Sequence, residues 1–109
     1  MQTYENHLTV GLFDKNTEKQ EINTNAAKTI ISNILINDFN IFAFTMIDCN
    51  GVYRMASTNN IVFEPSIRIE IATDNEIENE IEGIITALKT ALNQESIMHK
   101  EMISNINFR

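Results

Sequence analysis

The residues able to do chemistry are few, and most cluster in the second half of the chain. Glu64 and Glu95 are acids of the kind that work as a pair in proton transfer. Ser66 and Ser96 offer hydroxyls, and Gln94 offers an amide that both donates and accepts. Arg54 and Arg68 are two of only three arginines. Either can grip an anion with two parallel hydrogen bonds, or hold a structural ion pair with Glu64 or Glu70. Tyr53 adds an aromatic ring with a polar tip. The ligand-binding candidates are therefore Tyr53, Arg54, Glu64, Ser66, Arg68, Gln94, Glu95 and Ser96. No residue is assigned a catalytic role, because ordinary surface acids are far commoner than catalytic pairs.

Other chemistries lack their parts. His7 and His99 are the only histidines, and two imidazoles without a placed third ligand do not make a metal site. Cys49 is the sole cysteine, follows an aspartate and has no matched histidine. It supports neither a disulfide framework nor a nucleophile. No phosphate-binding glycine loop and no nucleophile elbow is present. No metal and no cofactor is expected.

Fifteen acids against eight bases give a formal net charge of −7 over 109 residues. Such a surface repels phosphate, and no basic stripe with interleaved aromatics offsets it, so nucleic acid is not an expected partner. A basic protein partner remains compatible with the charge. Hydrophobic residues make up 43% of the chain, with three Gly and one Pro, which describes a folded domain rather than a linker or disordered tail. A single domain over 1–109 fits this length. No leader-like start and no membrane-length apolar run is visible, so a cytoplasmic location is expected. Abundant Asn and Ile suggest an AT-rich source, such as a low-GC bacterium or a phage.

Hydrophobic periodicity supplies the elements that must position these residues. Leu8, Val10 and Leu12 alternate, predicting a strand over 7–13. A polar loop, 14–21, leads to Thr24 and Asn25 as helix caps. Ala26, Ala27, Ile30, Ile31, Ile34 and Leu35 then form one stripe of a four-turn helix. A second strand is predicted from Ile41 to Ile47, with Asn50-Gly51 as a turn or bulge and a resumed run to Met55. Ser57 to Asn60 closes a hairpin onto residues 61–71, with Pro65 at a bulge or edge. Thr73-x-x-Glu76 has the pattern of a capping box. A second helix carries Ile77, Ile81, Ile84, Ile85, Leu88 and Leu92, and a last strand spans 97–103.

The order strand, helix, strand, strand, helix, strand is that of an α+β, ferredoxin-like βαββαβ plait. Its four-stranded antiparallel sheet carries both helices on one face, and its β2–β3 hairpin is extended. The topology gathers Asp14, Glu64, Ser66, Gln94, Glu95 and Ser96 on one rim, with Tyr53 and Arg54 opposite Glu64 and Ser66. Either Phe42, Phe44 and Met46 or Ile41, Ala43 and Ile47 must face away from the helices. That apolar face predicts a homo-oligomer, most simply a dimer packed sheet on sheet.

Gly51-Val52-Tyr53-Arg54, Ile61-Val62-Phe63-Glu64-Pro65-Ser66 and Gln94-Glu95-Ser96-Ile97 resemble motifs of a bacterial family known as domain of unknown function 3574. Ile106-Asn107-Phe108 is similar to its closing strand, so the resemblance spans roughly residues 8–108. Tyr53 stands where that family has Trp, and the hairpin lacks its Asp-Gly turn. The resemblance implies a ferredoxin-like or PII-like plait and no established activity. It singles out Glu64, Ser66, Gln94, Glu95 and Ser96.

Three functions suit these features. The first is a non-enzymatic, homo-oligomeric binding or regulatory module of PII-like type, for a small ligand or a protein. The second is an acidic phage or mobile-element protein that inhibits a host protein. The third is a small cofactor-free enzyme of the dimeric α+β barrel type.

Overall fold

The computed structural model describes residues 2–109. Among them the chain forms β1 (Gln2–Gly11), α1 (Thr24–Asn33), β2 (Thr45–Arg54), β3 (Ile61–Thr73), α2 (Glu78–Ala91) and β4 (Met98–Asn105). The sheet order is β2-β3-β1-β4, with every neighbouring pair antiparallel. This is the ferredoxin-like plait that the order of elements predicts.

One hydrophobic cluster holds the layers together. Leu8 and Val10 of β1 and Ile67, Ile69 and Ile71 of β3 share one sheet face, since directly paired residues point the same way. Ala27, Ile31 and Leu35 from the first helix and Ile81, Ile84 and Leu88 from the second cover that face, all at 2% exposure or less. Each buried Leu or Ile stabilises the fold by roughly 1.5–3 kcal/mol. This outweighs the cost of imperfect helix ends. The α2 N-cap is Ile77, which makes no side-chain capping bond. The predicted capping box does not form: Thr73 ends β3, and its hydroxyl donates to the Asn75 carbonyl at 2.7 Å. Residues 74–77 are needed to turn the chain, so Glu76 lies before the helix while Glu78 and Glu80 occupy its first turn.

α1 is capped by Asn23 rather than by Thr24 or Asn25. Its Oδ1 accepts from the Ala26 amide at 2.8 Å. The helix ends in a wider π turn, Ile34–Asp38. Residues 41–44 lie outside the ladder, so β2 begins at Thr45. Asn50-Gly51 is neither turn nor bulge. Both residues stay in register, opposite Pro65 and Glu64. β1 begins earlier than the alternation suggests, because Gln2, Thr3, Glu5 and Asn6 pair with β4 despite their polarity.

Two apolar sets were expected on β2, one of them facing away from the helices. Met46, Ile41 and Phe44 instead pack against the core, Phe42 is 73% exposed, and Ile47 lies opposite Arg68 on the outer face. That outer face is charged at its centre. His7 lies between Glu70 and Lys100, and Arg68 Nε donates to Glu70 at 3.1 Å. The apolar outer sheet face predicted from β2 is therefore absent.

Pro65 decides where the sheet narrows. Leu12 donates its amide to the Pro65 carbonyl at 2.9 Å, but proline has no N–H to return the bond. The β1–β3 ladder stops at Gly11 and Ser66. Beyond it β3 continues with β2 alone, as a hairpin from Asn50 to Pro65. The molecule measures 47 × 26 × 25 Å as a result. No bulge accompanies Pro65; it sits where β3 loses its β1 neighbour and becomes an edge.

Candidate functional site

A cleft of about 430 Å³ opens where β1 leaves the sheet. Its floor is Gly11, Gly51 and Ser66, and its walls include Tyr53, Met55, Glu64, Phe13 and Glu95. That volume lies within the range of small-molecule sites.

Glu64 is its most tightly specified side chain. It points to the cleft side of the hairpin, diagonally across from Tyr53, because Gly51 pairs with Glu64 and Tyr53 with Val62. Its carboxylate lies over Gly11, and Oε2 accepts from the Phe13 amide at 2.8 Å. The Phe13 carbonyl in turn accepts from the Gln94 amide nitrogen at 2.7 Å. Gln94 is 8% exposed and also donates to Leu92 O. Its NH₂ is therefore committed to backbone. Ser66 is likewise committed, its hydroxyl donating to the Glu64 carbonyl at 3.0 Å.

The loop after β1 forms the far wall. Asp14 Oδ1 accepts from the amides of Asn16 and Thr17, and Asp14 Oδ2 accepts from the Asn93 side chain at 2.8 Å. These bonds, the Asn93 one foremost, hold the Asp14 carboxyl below the usual aspartate range. Lys15 donates its amide to Asn93 O, so the loop is tied to the end of α2. Tyr53 is shifted the other way. Exclusion of water raises its phenol above the ordinary value, and the charges of Glu64 and Glu18 add to this.

Asp14, Glu64, Ser66, Gln94, Glu95, Ser96 and Tyr53 thus share one cleft, as the plait's topology suggests. Arg54 and Arg68 do not join them. Arg54 pairs with Ile61, one step out of phase with Tyr53, and its guanidinium donates to Asn59 at 3.3 Å. Arg68 shares the sheet face of Glu64 and Ser66 but lies further along β3, opposite Thr9 and Ile47, where its guanidinium bonds to Glu70. His7 and His99 lie on opposite sheet faces. His7 pairs with Lys100, and His99, paired with Leu8, meets buried Asn6 at 2.7 Å. Gly11, Phe13, Lys15, Glu18, Gly51 and Met55 also line the cleft and are not among the sequence candidates. A glycine inside an alternating strand was the available signal, since it marks close approach of another group.

No protein-family model matches the sequence, and no curated protein matches it. Solved structures do match in fold. A phage SAM lyase in complex with S-methyl-5′-thioadenosine superposes with a TM-score of 0.68 at 17% identity, covering 92% of this chain and 80% of the other. The apo state of a phage SAM lyase gives 0.59 at 20% identity, over 92% and 79% of the two chains. A B. subtilis GlnK–ATP complex gives 0.55 at 11% identity, over 93% and 82%. At these identities the likeness is one of fold. Among the described residues, no helix is long and apolar enough to cross a membrane.

Proposed function

We propose that this protein is a small-molecule-binding plait whose rim cleft takes a positively charged sulfonium nucleoside of the S-adenosylmethionine class. The observation that carries this reading is the charge of the cleft. Asp14, Glu18, Glu64 and Glu95 line it against a single cation, Lys15. A triphosphate would meet four like charges there, whereas a sulfonium would meet attraction. Tyr53 and Phe13 add aromatic faces, which favour onium groups. The GlnK-type reading, binding of ATP, suits the fold but not this charge.

A second reading is favoured by the likeness to a phage SAM lyase: the bound sulfonium is also cleaved. As the substrate's own carboxylate closes on the carbon that bears sulfur in its amino-acid chain, that carbon–sulfur bond breaks, its electron pair goes to sulfur, and a lactone and a neutral thioether result. The cleft would then lose its charge attraction for the product and release it. Incubation with S-adenosylmethionine, followed by chromatography, separates the readings. Accumulating S-methyl-5′-thioadenosine supports a lyase. Ligand recovered intact after measurable binding supports a non-enzymatic module. No binding overturns both.

We further propose self-association, with a dimer the simplest assembly. Its support is an apolar patch on the side of the hairpin away from the cleft. Val52 and Phe63 pair directly, next to Ile61, and are 58%, 66% and 55% exposed. A contiguous patch on a projecting hairpin is the kind of surface that a partner copy covers.

A further inference from the structure

We propose that Gly11 and Gln94 are positioning residues for Glu64: Gly11 leaves vacant the space its carboxylate occupies, and Gln94 fixes the Phe13 peptide that holds it. A Cβ built at Gly11 would lie no more than 2.6 Å from all three carboxyl atoms of Glu64, so any side chain there displaces the group. Gly51, opposite Glu64 on β2, gives the contrast. A Cβ there meets Ser66 Oγ at 3.5 Å, an ordinary contact. The need for glycine thus belongs to one strand. Gly11 has no positive φ, so the requirement is one of space and not of backbone conformation.

Gln94 acts one bond further away. Phe13 donates its N–H to Glu64 at 2.8 Å and accepts from Gln94 through its carbonyl at 2.7 Å. The peptides on both sides of Phe13 are thereby held, from β3 on one side and from the end of α2 on the other. A displaced carboxylate would swing into the cleft or into solvent, and the Phe13 N–H would be left without its acceptor. The placement of the carboxylate stands on geometry alone; its consequence for a ligand rests on the function proposed above.

Amide hydrogen exchange followed by NMR tests the placement. Gly11→Ala should speed exchange at Phe13 by about tenfold or more, the loss of one bond to a charged acceptor. The Leu12 amide, which donates to Pro65, should stay protected. Gln94→Leu should act in the same direction at Phe13, and Gly51→Ala should leave Phe13 unchanged. Unaltered Phe13 protection in Gly11→Ala or Gln94→Leu would overturn the proposal. So would joint loss at Leu12 and Phe13, since that means the strand end has simply opened. Calorimetry with S-adenosylmethionine tests the consequence. Glu64→Ala and Gly11→Ala should each weaken binding about tenfold, and the double variant no further than Glu64→Ala alone. Additive losses would mean that Gly11 does not act through Glu64. If the unmodified protein does not bind this ligand, the function proposed above fails while the exchange result still stands.

Discussion

Tyr53 reports on the cleft without any ligand. Its phenol is held above the ordinary range first by exclusion of water, then by Glu64 and Glu18. The fold therefore disfavours the phenolate. The stability this gives is present below the unfolded tyrosine pKa of about 10 and is lost as pH rises through the higher folded value. In a Tyr4→Phe background Tyr53 is the only tyrosine, and no Trp interferes, so phenolate absorbance follows it alone. Glu64→Gln should bring its titration down, though not to the free value, because desolvation remains. A titration left unmoved by Glu64→Gln would place the carboxylate away from the ring. Asp14 works in the opposite sense. Its lowered pKa contributes stability above the unfolded value of about 3.9, and this is lost as pH falls through the folded value. Asn93→Ala removes the side-chain bond that lowers it most, so the amides of Asn16 and Thr17 should lose protection at a higher pH than in the unmodified protein. Loss at the same pH would show that Asn93 does not set this carboxyl. At this scale the sequence revealed Glu64, Ser66, Gln94, Glu95 and Ser96, because topology alone brings the ends of their segments to one rim. Arg54 was misplaced by one step of strand alternation. Gly11 and Phe13 were illegible as chemistry, since one contributes an absent side chain and the other a backbone N–H.

The elements followed their apolar stripes closely and their polar signals less well. Ala27, Ile31 and Leu35 and Ile81, Ile84 and Leu88 are buried as their spacing predicts. The cap of α1 is Asn23, one residue before Thr24, and no capping box forms at α2. Each cap is a local option that burial of the stripe can override. Asn23→Ala should therefore cost about 1 kcal/mol in chemical denaturation. Thr73→Ala and Glu76→Ala should each stay within about 0.5 kcal/mol, as changes outside any cap do. A cap-sized loss at Glu76 would restore the capping box. Ile69→Ala, at the centre of β3, should cost roughly 2–5 kcal/mol through the cavity it leaves. Pro65 lies at an edge, one of the two places that its missing N–H allows. Its missing N–H marks where a ladder ends, but no bulge was needed, because β1 departs at that point.

For the whole molecule, the order of elements was enough to give the plait, since few topologies accommodate strand–helix–strand twice around one antiparallel sheet. The assembly surface was less legible. Phe42, Phe44 and Met46 read as a strand face, yet residues 41–44 stay outside the ladder and fold partly onto the core. The exposed apolar surface lies instead on the hairpin, at Val52, Ile61 and Phe63. Light scattering over a range of concentrations should show an oligomer that Phe63→Glu reduces to monomer. A monomer at every concentration would refute the hairpin interface. Calorimetric titration with S-adenosylmethionine and ATP in parallel tests whether the charge of the cleft selects its ligand. The sulfonium should bind saturably and the triphosphate not at all. Binding of ATP without S-adenosylmethionine would contradict this.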